Sequence, residues 1–192
     1  MNADRPDGDA TDVPRALTLE ERVVLHRRMA ESYHAAYARL AVKEGASYEE
    51  WVFSDDAVYW SPYFGNELIE LRSHPISVST SATMEAKAYS LSFPDWGPVE
   101  FAAWPADNGF AMKTLFEGHR EDGSAMNFYS YGFVLTNEQG AITRWETHVS
   151  EGYNDFLDVA IGIHGPFRDG ADAYMQALAR TLRAAGVDVP TP

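Results

Sequence analysis

The chain has no cysteine among its 192 residues, which excludes disulfide staples, thiolate nucleophiles and cysteine-ligated metals or clusters. Cations are also scarce, with 15 Lys and Arg against 29 Asp and Glu and a formal charge of -14. Phosphate binding relies on clustered positive charge, and no basic run is longer than His26-Arg27-Arg28, so nucleic acid is not an expected partner. No apolar stretch approaches the roughly 18 to 20 residues that span a bilayer, and the first residues lack a basic-then-apolar signal pattern. The expectation is a soluble, cytoplasmic protein without a membrane partner. Neither common glycine-rich phosphate loop occurs, and neither does His-x-His, His-Glu-x-x-His or a facial-triad pattern, so no nucleotide cofactor and no metal is expected. Aromatic residues, in contrast, are plentiful at 13%, with five Trp, ten Tyr and ten Phe. They suit a pocket for a flat apolar ligand, and equally an aromatic-rich core.

The length fits one domain with a sizeable core. Residues 1–16, rich in Asp and Pro, read as a disordered acidic arm. Residues 17–165 carry the main α+β domain, and 166–192 a last helix and tail. Thr18-Leu19-Glu20-Glu21 is a capping box, opening a helix expected to run to Glu44 and stop at Gly45; its stripe includes Met29, Tyr33, Tyr37 and Leu40. A second capping box at Ser47-Tyr48-Glu49-Glu50 predicts a short helix through Phe53. A strand over Ala57 to Tyr63 with a hairpin partner at Glu67 to Leu71 follows, and Pro62 there implies an edge or a bulge. A helix over Ile76 to Ser92 has an inner line of Val78, Ala82, Glu85, Ala86, Tyr89 and Phe93. Glu85 is the anomaly on that line, because an unpaired carboxylate is costly to bury. Pro98 to Trp104 is a further strand, and Asp169 to Ala185 a last helix whose stripe of Tyr174, Ala177, Leu178 and Leu182 can pack on the domain or on another subunit.

Between them lies a triplet of antiparallel strands, Phe110 to Arg120, Ser124 to Thr136 and Ala141 to Glu151, joined by tight turns. Period 2 places Glu146 and His148 on one face of the last strand and Trp145 and Val149 on the other. A carboxylate beside an imidazole can poise a base near neutral pH, so Glu146 and His148 are candidate catalytic groups; a solvated outer face fits them equally. On the neighbouring strand Phe133 and Leu135 continue the line of Asn127, Tyr129 and Tyr131, which predicts that this face is inward. His119 and Tyr131 are then candidate assisting acids, with Lys87 a candidate for orienting an oxyanion. Tyr33, Tyr59, Trp60, Glu85, Tyr89, Asn127 and Trp145 complete the candidate substrate pocket, although core packing is the commoner fate of such aromatic residues and solvent that of a hairpin-end histidine or helix lysine.

Helices early and an antiparallel sheet late define an α+β order, and a strongly curved sheet wrapped around the long N-terminal helix leaves a conical cavity. The order of elements, Asp55-Asp56-Ala57-Val58 at the first strand and Gly140-Ala141-Ile142-Thr143-Arg144 at the last, resembles the nuclear transport factor 2-like superfamily, in particular its SnoaL-like enzymes. Ser92-Phe93-Pro94-Asp95-Trp96, Gly118-His119, Asn127 and Arg144-Trp145-Glu146 are similar to phenazine biosynthesis A/B-type proteins. In those proteins a histidine and a hydroxyl residue on the middle helix act with a glutamate on the last strand, and the nearest counterparts here are Glu85, Tyr89 and Glu146. The first two depart from that pattern. The wider superfamily implies several activities, among them dehydration, isomerisation, polyketide cyclisation and formaldehyde release from lignin-derived diaryl compounds, and it also holds non-catalytic members. The resulting expectation is a cofactor-independent lyase acting by acid-base elimination on a hydrophobic aromatic small molecule. The alternatives are a SnoaL-like isomerase or cyclase and a small-molecule binder. The resemblance also implies a homo-oligomer, dimer or trimer, packed through the sheet.

Overall fold

A computed structural model describes residues 15–168 and 170–189. The acidic arm therefore lies outside the described residues except for Arg15 and Ala16. Helix α1 spans Leu19–Ala38, followed by strands β1 (Phe53–Trp60) and β2 (Leu68–Glu70), helix α2 (Val78–Ser92), strands β3 (Gly97–Ala106), β4 (Gly109–His119), β5 (Ala125–Thr136) and β6 (Ile142–Val149), and helices α3 (Gly152–Ile161) and α4 (Ala171–Ala184). The α+β class is as expected. No helix among the described residues is long and apolar enough to cross a membrane.

The six strands form one sheet in the order β2-β1-β6-β5-β4-β3. Tight turns give β3 to β6 their antiparallel pairing. β1 pairs in parallel with β6, which makes the sheet mixed. A parallel pair needs a long crossover, here everything from β2 through β5. The predicted hairpin of β1 with β2 is present. β1 is thereby interior, with a register shift between Phe53 and Val58, and Pro62 lies past its end in a 3₁₀ turn over Pro62–Phe64.

One face of the sheet is covered by the helices. On it Phe110, Met112, Phe116, Phe128, Val134 and Ile142 join Met29, Ala30 and Tyr33 of α1, Ala86 and Tyr89 of α2, Phe156 of α3 and Leu178 of α4 in one core. Small residues at this face matter: a Cβ on Gly132 would lie 2.5 Å from the Met112 methyl carbon. The last helix belongs to this core, since Tyr174, Ala177, Leu178 and Leu182 are all buried. On the opposite face Trp104, Phe133 and Leu135 are 56%, 47% and 43% exposed, so no element among the described residues covers that side of the sheet.

Three local expectations need correction. The capping box at Thr18 forms, with Thr18 Oγ1 accepting from Glu21 N–H at 3.3 Å and the Glu21 carboxylate accepting from Thr18 N–H at 2.8 Å. But α1 ends at Ala38, because Leu40 takes a left-handed conformation, φ 51°, and only a 3₁₀ turn over Ala41–Glu44 follows. Ser47 to Glu50 opens no helix; β1 begins at Phe53 instead. The face of β5 that carries Tyr129, Tyr131, Phe133 and Leu135 is the outer one. Phe128, Gly132 and Val134 face the core, and their apolar signal competes with an equally apolar line on the other side.

Candidate active site

Between the inner sheet face and helices α1, α2, α3 and α4 lies a cavity of about 140 Å³. Tyr33, Tyr37 and Tyr48 wall it on the α1 side, Tyr59, Trp145, Thr147 and Val149 on the sheet, and Ser81, Ala82 and Glu85 on α2, with Tyr153 and Tyr174 closing it from α3 and α4. The local sequence explains this space. Among the inward positions of the strands, Ser130 and Thr147 are small or hydroxylated and leave space beside Tyr59, Phe116, Phe128 and Trp145, and Ser61 does the same just past the end of β1. α2 contributes its inner line from Ala82 to Tyr89, a mostly small surface that brings Glu85 close to its neighbours.

Glu85 is the one carboxyl of the lining, and no lysine or arginine lines the cavity with it among the described residues. It is half-buried. Tyr174 donates to its Oε2 at 2.9 Å. Behind that bond stands a hydroxyl cluster in which Tyr89 and Tyr174 oxygens are 2.6 Å apart and Tyr89 and Tyr153 oxygens 2.8 Å, joining α2, α3 and α4. Withdrawal from water without a counter-cation pushes the Glu85 carboxyl up to about 7, with the Tyr174 bond opposing the rise. Burial also raises the tyrosines around it, so Tyr89, Tyr153 and Tyr174 stay protonated and able to donate. A carboxyl near neutrality can take or give a proton with little cost, the property asked of a general acid or base.

His74 lines the same cavity from the segment before α2. Its Nδ1 is held by the backbone of Ile76, 2.9 Å from the carbonyl oxygen and 3.2 Å from the amide nitrogen. Trp145 contributes a flat wall, with edge-to-face packing on Tyr59 and Trp51 at 5.0 Å. Its Nε1 is buried without a hydrogen-bond partner among the described residues. No group of His, Asp and Glu suited to a metal ion occurs among the described residues.

Of the residues singled out from the sequence, Tyr33, Tyr59, Glu85 and Trp145 meet in the cavity, and Tyr89 joins through its hydroxyl. The others do not. Glu146 and His148 are indeed neighbours, Oε2 to Nε2 at 3.9 Å, but they stand on the outer face, because Trp145, Thr147 and Val149 take the inward positions of β6. Glu146 also pairs with Arg144, and His148 lies edge-on between Trp60 and Phe133, ring centroids at 5.5 and 5.7 Å. Trp60 and Tyr131 share that face with them, as partners of Glu146 and His148 in the ladder. Asn127 is exposed and donates to Glu117 at 3.4 Å. His119 is exposed and bonds Asp95 through Nδ1 at 2.8 Å, and Lys87 lies on α2 outside the lining. Sequence reasoning passed over His74, Ser81, Thr147 and Tyr174 as site residues. A lone hydroxyl at an inward strand position and a tyrosine at the head of an amphipathic helix are the signals that point to the last two.

No protein-family model matches the sequence, and no curated protein does. Solved structures do. A phenazine biosynthesis-related protein from Pseudomonas aeruginosa is 16% identical, with 91% of this chain and 96% of that chain covered at a TM-score of 0.42. A protein of ketosteroid isomerase-like fold from Catenulispora acidiphila, solved with trimethylamine, is 11% identical over 69% of this chain and 91% of that one, TM-score 0.42. An NTF2-like protein of unknown function from Cytophaga hutchinsonii is 11% identical over 67% and 99%, TM-score 0.46. The phenazine-related and NTF2-like kinds suggested by the sequence motifs are thus both among the structures this chain is similar to.

Proposed function

We propose that the chain is a lyase that works without a cofactor on an aromatic small molecule, with Glu85 as its proton-transferring group. The observation that carries this reading is a single carboxyl, pushed up to about 7, facing a cavity otherwise walled by aromatic rings, aliphatic side chains and hydroxyls together with His74. In an elimination, the Glu85 carboxylate takes a proton from the substrate as the carbon-oxygen bond to the leaving hydroxyl breaks. The His74 Nε2–H gives its proton to that oxygen, which leaves as water. Tyr174 steadies the carboxylate by its hydrogen bond, and the apolar enclosure strengthens both interactions. A finer version fits the same groups. A phenolic benzylic alcohol loses water to a quinone methide. Deprotonation of an adjacent hydroxymethyl oxygen then breaks the carbon-carbon bond, releases formaldehyde, and returns the electron pair to the ring as a stilbene phenolate.

The test is turnover of a panel of phenolic benzylic alcohols followed by mass spectrometry. The lyase reading expects a product lighter than its substrate by water or by water and formaldehyde, and a folded Glu85→Gln variant slowed by roughly 10²-fold or more. A product of unchanged mass favours isomerisation by the same groups and sinks the lyase reading. Full activity in Glu85→Gln removes Glu85 from the chemistry. The uncovered sheet face supports a homo-oligomer: Trp104, Phe133 and Leu135 are exposed there beside side chains of both signs, Lys113, Arg144 and Glu146. A two-fold partner can match such a face with itself, and sedimentation at only 21.4 kDa would dispose of it.

A further inference from the structure

A second cavity, of about 530 Å³, lies between the 46–55 segment, Leu71 and Arg72, and the first turn of α2. Tyr48, Leu71, Val78 and Ala82 line both cavities, so the two adjoin along these side chains. The linings differ in chemistry. The inner one presents rings and Glu85. The outer one adds the hydroxyls of Ser47, Ser54, Ser77 and Ser79 and the ion pair of Arg72 with Asp55.

Those polar groups define what the outer cavity accepts. Ser54 donates its hydroxyl hydrogen to Asp56 at 2.7 Å and Ser79 to the Gly45 carbonyl at 3.3 Å, which leaves their lone pairs as acceptors. Ser77 donates to the Thr80 hydroxyl at 3.0 Å and accepts from the Thr80 N–H at 3.2 Å, which leaves it one lone pair as an acceptor. Arg72 supplies donors, and its charge is already matched by Asp55. A set with donors and acceptors but no unmatched cation, in a chain of formal charge -14, suits neutral hydroxyl groups and disfavours anions.

We infer that the two cavities form one bipartite substrate site, in which an aromatic ring lies beside Glu85 and a neutral, hydroxyl-bearing chain attached to it occupies the outer cavity among Ser54, Ser77, Ser79 and the Asp55–Arg72 pair. The inner cavity, with Tyr33, Tyr59 and Trp145 in its wall, presents the surfaces that suit a ring. The outer, which adjoins it along Tyr48, Leu71, Val78 and Ala82, receives the remainder of the molecule past Leu71 and Val78. The placement of the ring rests on the reading of Glu85 given above; the outer cavity and its chemistry do not.

The probes are 2-methoxyphenol and its glycerol ether, which share one ring and differ by a neutral dihydroxypropyl chain. Calorimetric titration of the wild-type protein is expected to show the ether bound about tenfold more tightly, which is about 1.4 kcal/mol. Ser47→Trp and Ser79→Trp each fill the outer cavity from a different element, and thermal melts check that they fold. Each is expected to abolish the tenfold preference while leaving 2-methoxyphenol affinity within about twofold of wild type. Equal affinities for the two probes in the wild type overturn the bipartite site and leave the Glu85 reading standing, and so does a preference that survives both substitutions. If neither probe binds, the aromatic pocket itself fails and the bipartite site falls with it.

Discussion

Replacing Glu85 by glutamine is predicted to stabilise the protein in a pH-dependent way. The carboxyl is pushed from its ordinary 4.5 to about 7 in the folded protein, first by withdrawal from water. Between those values the folded state holds a proton that the unfolded chain has released, so stability falls as pH rises through this window and levels off above it. At 1.36 kcal/mol per pH unit, keeping the carboxylate in the cavity costs about 3 kcal/mol above pH 7. The side-chain amide of the Glu85→Gln variant carries no charge at any pH and still offers an oxygen to the Tyr174 hydroxyl, whose 2.9 Å bond is therefore retained. Urea unfolding of both proteins from pH 4.5 to 8 gives the difference in stability, from which carboxyls that titrate alike in both cancel. The variant should match the wild type within about 1 kcal/mol at pH 4.5 and exceed it by about 3 kcal/mol at pH 8. A difference that stays flat across the range would refute the raised carboxyl and the desolvation argument behind it.

Tyr174→Phe removes the hydrogen bond that favours the Glu85 carboxylate; the midpoint of any Glu85-dependent activity should move to higher pH, and unfolding should cost about 1 kcal/mol less. Glu146→Gln with His148→Ala leaves the cavity untouched, so turnover of an identified substrate should stay within about twofold of wild type, and a large loss would show that the outer face takes part in the chemistry. Phe133→Glu places a charge on the exposed sheet face; sedimentation should show dissociation of the proposed oligomer with the melting midpoint of the monomer largely kept. Gly132→Val drives a branched side chain into Met112, which already meets a Cβ at 2.5 Å, and should destabilise by about 1 to 3 kcal/mol.

Much of the fold was readable from residue patterns. Alternation over 110–151 marked the β4-β5-β6 triplet, the Thr18-Glu21 box marked the start of α1, and the Ser/Ala-rich stretch before Pro94 marked α2. Glu85 stood out because it interrupts an apolar line. The face of the sheet did not read correctly, since β5 carries Phe128 and Val134 on one side and Tyr129, Tyr131, Phe133 and Leu135 on the other. Hydrophobicity alone cannot rank two such lines, and the decisive signal is steric: Ser130 and Gly132 leave room on the inner side for Met112 and for a cavity. For the same reason alternation set Glu146 and His148 opposite Trp145 and Val149 but did not tell which of the two faces is inward, and the inward one is that of Trp145, Thr147 and Val149. The parallel pairing of β1 with β6 joins segments about 85 residues apart, as in Tyr59 beside Trp145, and leaves no local mark. Tyr174 likewise reaches Glu85 from 89 positions away, so a contact central to the site is invisible to any local pattern.

The central claim is that one glutamic acid, facing an aromatic cavity, changes protonation near neutral pH. Carboxyl-carbon NMR on protein labelled at glutamate reads this directly. One resonance should titrate with a midpoint near 7 and vanish in Glu85→Gln. If every glutamate resonance titrates below about pH 5, in the ordinary carboxylate range, Glu85 is a solvated carboxylate like the others and the account of the site is wrong.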